Sequence, residues 1–136
     1  PNTPVLDDDI KHNFHLGILK KTSLRVRKLD KICSKFRKVD FIKIDVDGYE
    51  LDVLKSGKKT IIRHKPIIYF EFAPYLYKEF KYTPEILIKF IKKDLNYLFY
   101  DGNLNEILNI DDFVKKLKNR SENFFLLHKS IKIKNL

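Results

Sequence analysis

Two aspartates stand two positions apart where an apolar run ends, in Phe41-Ile42-Lys43-Ile44-Asp45-Val46-Asp47-Gly48-Tyr49-Glu50. A carboxylate held at the end of a buried strand can accept a proton in general base catalysis or act as a nucleophile. The same residues also admit an architectural account. Asp47, followed three residues later by Glu50, satisfies the capping-box pattern for a helix opening near Gly48. Side chains alternate along a strand, so Lys43 shares a face with Asp45. A deep ion pair between these two would be structural, or would position a working carboxylate. Capping leaves Asp45 unexplained, because Asp45 precedes the helix.

The elements that must hold these residues can be read from periodicity. Residues 39–46 are almost continuously apolar, as a strand covered on both faces must be. A helix is predicted from Gly48 to about Arg63, with Leu51, Leu54, Ile61 and Ile62 as its buried stripe and Pro66 beyond its end. A second buried strand is predicted over 67–72. This strand–helix–strand order implies a parallel pair with a right-handed crossover. In open parallel sheets ligands bind beyond the carboxyl ends of the strands, which is where Asp45, Asp47 and Glu71 fall.

Around that unit, residues 23–29 alternate as a half-exposed strand, and 29–36 read as a short helix. Thr83 and Pro84 mark a helix start, with Ile86, Leu87, Phe90 and Ile91 as its apolar face. Residues 95–102 form a strand running into an Asp-Gly turn, Asp111 caps a short helix through Leu117, and 123–129 form a last strand. The two late strands are expected to pair antiparallel at the sheet edge. The tail 129–134 reads as an edge strand or a frayed end. One α/β unit spanning 1–136 follows.

Composition narrows the function classes. The chain has 136 residues, 43% of them hydrophobic, which argues against disorder and for one core. Net charge is +10, but the lysines are dispersed, so a solvated surface is the expectation and nucleic acid is not the expected partner. A basic module binding an anionic partner is kept as an alternative. His12 and His15 are spaced i, i+3 without a third ligand nearby, so no metal is expected. Cys33 is the single cysteine, which fits a reducing, cytoplasmic setting. No apolar run approaches the ~20 residues of a membrane span. The chain opens on Pro1 and contains no methionine, so a fragment is the expectation.

Two enzyme families resemble the central motif. The haloacid dehalogenase-like phosphatases open with a hydrophobic strand and Asp-x-Asp-Gly-Thr. Asp45, Asp47 and Gly48 match, as nucleophile, general acid and turn glycine. Tyr49 replaces the threonine, the motif is central in the chain, and no convincing Mg²⁺-binding acidic pair follows. A longer match covers about residues 24–72. There the chain resembles the FkbM family of S-adenosylmethionine-dependent methyltransferases, whose signature is Phe-Ile-Lys-Ile-Asp-Val-Glu-Gly, then Glu-x-x-Val-Leu-x-Gly, then Lys-Pro and an apolar strand ending in glutamate. Lys43, Asp45, Gly48, Glu50, Val53, Leu54, Gly57, Pro66 and Glu71 fall on those positions, and Asp47 replaces the usual glutamate.

The resemblance implies a partial class I methyltransferase sheet of Rossmann-like type, mostly parallel with an antiparallel C-terminal edge and helices on both faces. It implies S-adenosylmethionine as cofactor and a small-molecule or glycan acceptor methylated on oxygen. Asp45 and Asp47 would be catalytic, Glu71 would line the acceptor pocket, and Lys43, Gly48 and Glu50 would support the site. Tyr69, Phe70, Phe72, Tyr75 and Tyr77 could shape that pocket or pack the core. The glycine-rich cofactor loop of such folds is missing, since Gly17, Gly48, Gly57 and Gly102 stand far apart. The chain therefore corresponds to the C-terminal half of the fold: either the parent protein is longer or this protein has lost the activity, and methyl transfer by this half alone is not expected.

Overall fold

Phe41–Ile44 and Ile67–Phe72 form β1 and β2, a parallel pair in register from Phe41 against Ile67 to Ile44 against Phe70. The computed structural model describes residues 26–133. Its elements run α1 (Leu29–Cys33), β1, α2 (Glu50–Ser56), α3 (Lys58–His64), β2, α4 (Pro84–Lys89), a π-helical turn (Phe90–Asp94), β3 (Tyr97–Tyr100), α5 (Ile110–Leu117) and β4 (Glu122–His128). The sheet order is β1-β2-β4-β3. β4 pairs antiparallel with both β2 and β3, so among the described strands one pairing is parallel and two are antiparallel. The predicted antiparallel pairing of the two late strands is present, but β4 lies inside the sheet and only β3 is at the edge.

Alternation explains which face is buried. Ile44, Ile68, Phe70, Phe72, Tyr97, Phe99, Phe124 and Leu126 all point to one side and join one core with Leu51, Leu54, Ile61, Leu87, Ile91, Val114 and Leu117 from the helices. Among the described residues the expectation of helices on both faces is corrected: helices α2 to α5 pack on one face. The opposite face carries Phe41, Lys43, Ile67, Tyr69, Glu71 and Phe125, none of them in that core. Among the described residues β1 is accordingly covered on one side. Phe41 is 53% exposed, and Lys43 is exposed where a deep position was expected.

The helix predicted over 48–63 is two helices. Gly57 ends α2 and opens α3, and a Cβ there would lie 2.5 Å from Leu29 Cδ2. Close packing of α1 onto this joint means that any larger side chain would have to displace Leu29. Asp30 adds to the joint by accepting the Thr60 and Lys59 amides at 2.8 and 3.3 Å. Ile62 and Ile86, both assigned to buried stripes, are exposed, because each lies just outside the arc of its helix that meets the sheet. Thr83 takes the position before α4 with Pro84 in its first turn. Asn109 rather than Asp111 caps α5, its side chain accepting the Asp112 amide at 3.2 Å. Val26–Lys28 are not in a strand, and residues 23–25 lie outside the described residues, as do His12 and His15. Residues 129–133 form no strand, and residue 134 of the expected edge strand lies outside the described residues.

Candidate functional site

The parallel pairing brings the carboxyl ends of β1 and β2 to the same end of the sheet. One step beyond the pair Ile44 and Phe70 come Asp45 and Glu71. The chain then turns sharply, with Asp47 at φ +48° and Gly48 at φ +102°. Asp45, Asp47 and Glu71 bring carboxylate oxygens within 4.8 Å of one another. Lys43 Nζ donates to Asp45 Oδ2 at 2.8 Å. The Asp45 side chain is 43% exposed, so this is a solvent-facing cluster anchored to rigid strands.

The left-handed backbone at Asp47 corrects the capping-box expectation. Helix α2 begins at Glu50, with Tyr49 in the capping position and no side-chain cap bond there. Glu50 instead reaches back two residues, and its Oε1 accepts the Gly48 amide at 3.1 Å. The Tyr82 hydroxyl donates to the Gly48 carbonyl at 2.7 Å and lies 3.3 Å from Glu50 Oε2. Glu50 is fully buried, Tyr82 nearly so. Phe80 closes the turn from outside: a Cβ on Gly48 would lie 2.2 Å from its ring, which also meets Tyr49 edge-on at 4.4 Å. A buried acid thus holds the turn that presents Asp45 and Asp47.

The charges within the cluster are unequal. The Lys43 hydrogen bond, then the bond with Glu71, hold Asp45 below the usual carboxylate range. Glu71 is pulled down by the Ser121 hydroxyl, but burial and the facing Asp45 and Asp47 outweigh this and push it up. Two carboxyl groups in such proximity cannot both be ionised cheaply, so charge is favoured on Asp45, beside Lys43, and disfavoured on Glu71. Burial also pushes Glu50 up, against the pull of the backbone amides and Tyr82. Three carboxylates at this spacing have the chemistry to hold a cation. Here Lys43 already balances Asp45, and Ser121 already serves Glu71.

The aromatic residues divide by strand parity. Phe70, Phe72 and Tyr77 are fully buried in the core, away from the carboxylates. Tyr77 uses its hydroxyl to accept the Ala73 amide at 3.1 Å. Tyr69 lies on the open face, its ring 4.9 Å from that of Phe125, and Tyr75 is exposed. An open depression of about 480 Å³ on this face is lined by Phe41, Tyr69, Gly102, Glu122, Asn123 and Phe125, beside the carboxylates but not including them. A smaller cleft of about 150 Å³ is lined by Phe113, Lys116, Leu117, Arg120, Ser121 and Glu122. Ser121, Tyr82 and Phe80 were not singled out from sequence. Each acts through a contact with a distant segment, and no local pattern marks it.

The profile of the family described as "Methyltransferase FkbM domain" matches residues 5–99. Searches of curated proteins and of solved structures returned no significant match. The match spans β1, the turn, α2, α3 and β2, and therefore all three carboxylates, and it favours methyl transfer over the phosphatase resemblance of Asp-x-Asp-Gly. The chain belongs to the FkbM methyltransferase family.

Proposed function

We propose that the protein takes part in S-adenosylmethionine-dependent methylation of an oxygen on a sugar or other small hydroxyl-bearing metabolite. The observation that supports this most is the convergence of Asp45, Asp47 and Glu71 within 4.8 Å at the ends of two parallel strands, in a chain of this family. S-Adenosylmethionine, when bound, supplies a methyl group on a positively charged sulfur. The carboxylates fit the cationic end of such a molecule in charge. The described glycines offer it no cradle, because Phe80 closes Gly48, Leu29 closes Gly57, and Gly102 stands alone. Asp45 and Asp47 would face the cationic end, and the remainder of the cofactor would need residues other than those described.

Within this reading the acceptor hydroxyl donates to Asp45, which Lys43 keeps ionised. An alcohol is a poor nucleophile at neutral pH, and a fixed anion both aims its lone pair and takes its proton as the new carbon–oxygen bond forms. Because the lysine contact lowers the basicity of Asp45, its larger contribution is orientation. Glu71 lies beside Asp45 and would contact a second oxygen of the acceptor. Gly48 and Glu50 keep the turn rigid, so that Asp45 and Asp47 hold their spacing. Cys33, buried and unpaired, accords with a cytoplasmic setting.

The test is transfer of isotope-labelled methyl from S-adenosylmethionine to a panel of sugars. Label in an alkali-stable ether linkage is the expected outcome. Label found only on nitrogen or carboxylate acceptors would exclude O-methylation. Calorimetry with the 136-residue chain should show weak cofactor binding, and micromolar affinity would overturn the view that the cofactor needs further residues.

A further inference from the structure

The cleft beside α5 has a charge pattern opposite to that of the carboxylate cluster. Its floor is Phe113 and Leu117, and its rim holds Lys116, Arg120, Ser121 and Glu122. Lys116 and Arg120 are exposed, and among the described residues neither is in an ion pair. Left-handed backbone at Lys118, φ +49°, ends the helix, and the Arg120 amide then donates to the Leu117 carbonyl at 3.0 Å. This folds the segment back, so that Lys116 and Arg120 border one hollow. Glu122 is the single carboxylate on the rim, and its Oε1 accepts the Asn123 amide at 3.1 Å.

Ser121 joins this cleft to the candidate site, since it lines the cleft and stands two residues before Asn123, the residue opposite Glu71 in the β2–β4 pairing. A ligand reaching from the cleft to Asp45 would therefore meet two cations first and three carboxyl groups second. Such a field orients a molecule that is anionic at one end and carries a hydroxyl at the other. The volume, about 150 Å³, equals that of roughly five waters at ~30 Å³ each, which suits a carboxylate or phosphate group better than a whole sugar ring.

We infer that the cleft formed by Lys116, Arg120 and Ser121 binds an anionic group carried by the acceptor, so that the methylated molecule is an acidic or phosphorylated hydroxy compound rather than a neutral sugar. This deepens the proposed O-methylation and rests on it for the word acceptor. The binding itself does not depend on catalysis. Arginine and lysine together supply charge-assisted bonds to carboxylate or phosphate oxygens, and Phe113 shields one side from water.

The experiment is calorimetry at low salt with glucuronate, glucose phosphate and glucose, on the wild-type chain and on Lys116→Ala/Arg120→Ala. Lys35→Ala/Lys38→Ala removes the same charge elsewhere and controls for the net charge of +10. All four positions are exposed, so folding should survive, as circular dichroism would verify. At least one anionic sugar is expected to bind about tenfold or more tighter than glucose, and the Lys116/Arg120 variant to lose that preference while the control keeps it. Whether glucuronate or glucose phosphate binds better distinguishes carboxylate from phosphate recognition. Equal binding of neutral and anionic sugars, no binding of either anion, or equal losses in both variants would overturn the inference. Anion binding without methyl transfer would leave the cleft standing and remove the methyltransferase reading. Methyl transfer to neutral sugars alone would do the reverse.

Discussion

Asp45 and Glu71 face each other across the carboxyl ends of β1 and β2 as an unlike pair, the first held down by Lys43 and the second pushed up by burial and its acidic neighbours. Lys43 breaks the symmetry. It lies 2.8 Å from Asp45 and two residues before it, on the same strand face. The pair therefore holds its negative charge unevenly, favoured on Asp45 and disfavoured on Glu71.

Removing the lysine tests this directly. Lys43→Ala should raise the Asp45 pKa toward its ordinary value. The sign follows from linkage. A depressed carboxylate stabilises the fold above its unfolded pKa, and that contribution is lost as pH falls through the lower folded value. Without Lys43 the depression is smaller, so that contribution and the pH window over which it is lost both shrink. Carboxyl-carbon NMR titration should show the Asp45 midpoint moving up. An unchanged midpoint would mean that the ion pair does not set the charge.

The buried Glu50 makes an opposite prediction. Its folded pKa is raised, so its ionisation costs stability as pH climbs from the ordinary glutamate range through the folded value. Glu50→Gln keeps an oxygen for the Gly48 amide and offers Tyr82 an amide donor. The variant should match the wild type at acid pH and gain on it as pH rises. Denaturant titrations at several pH values measure this, and a difference that shrinks with pH would contradict it. Glu50→Ala, which strands the Gly48 amide, should cost about 1–3 kcal/mol.

Gly48 carries two separable constraints. Its φ of +102° is strained for any other residue, and a Cβ would meet the Phe80 ring at 2.2 Å. Gly48→Ala should destabilise by about 2 kcal/mol or more. In a Phe80→Ala background the same substitution should cost less, the remainder being the backbone strain. A full undiminished cost in that background would show that the ring does not matter.

Much of the scaffold was legible because it is written locally. The β-branched and aromatic runs around Ile42 and Ile68 specify strands, and the 22 residues from Asp45 to Pro66 leave room only for a crossover. Lys43 and Asp45 were paired on paper by alternation alone, and they are paired in the fold. What failed depended on tertiary packing. Gly57 falls inside the single helix predicted over 48–63, whereas in the fold it joins two helices and Leu29 from α1 occupies the space beside it. Asp47 and Glu50 had capping spacing, but the turn takes left-handed backbone, and Tyr82 fixes it from 32 residues beyond Glu50. Residues Ser121, Lys116 and Arg120 matter only because β4 lies next to β2, a pairing that no spacing in the chain announces.

The most direct measurement compares methyl transfer by wild type and Asp45→Asn, each in the full length its gene encodes, against an acidic hydroxy acceptor. Asparagine keeps the size of the side chain and removes the anion. The account predicts a fall of about a hundredfold in turnover with the fold intact. Unchanged turnover in Asp45→Asn would contradict it.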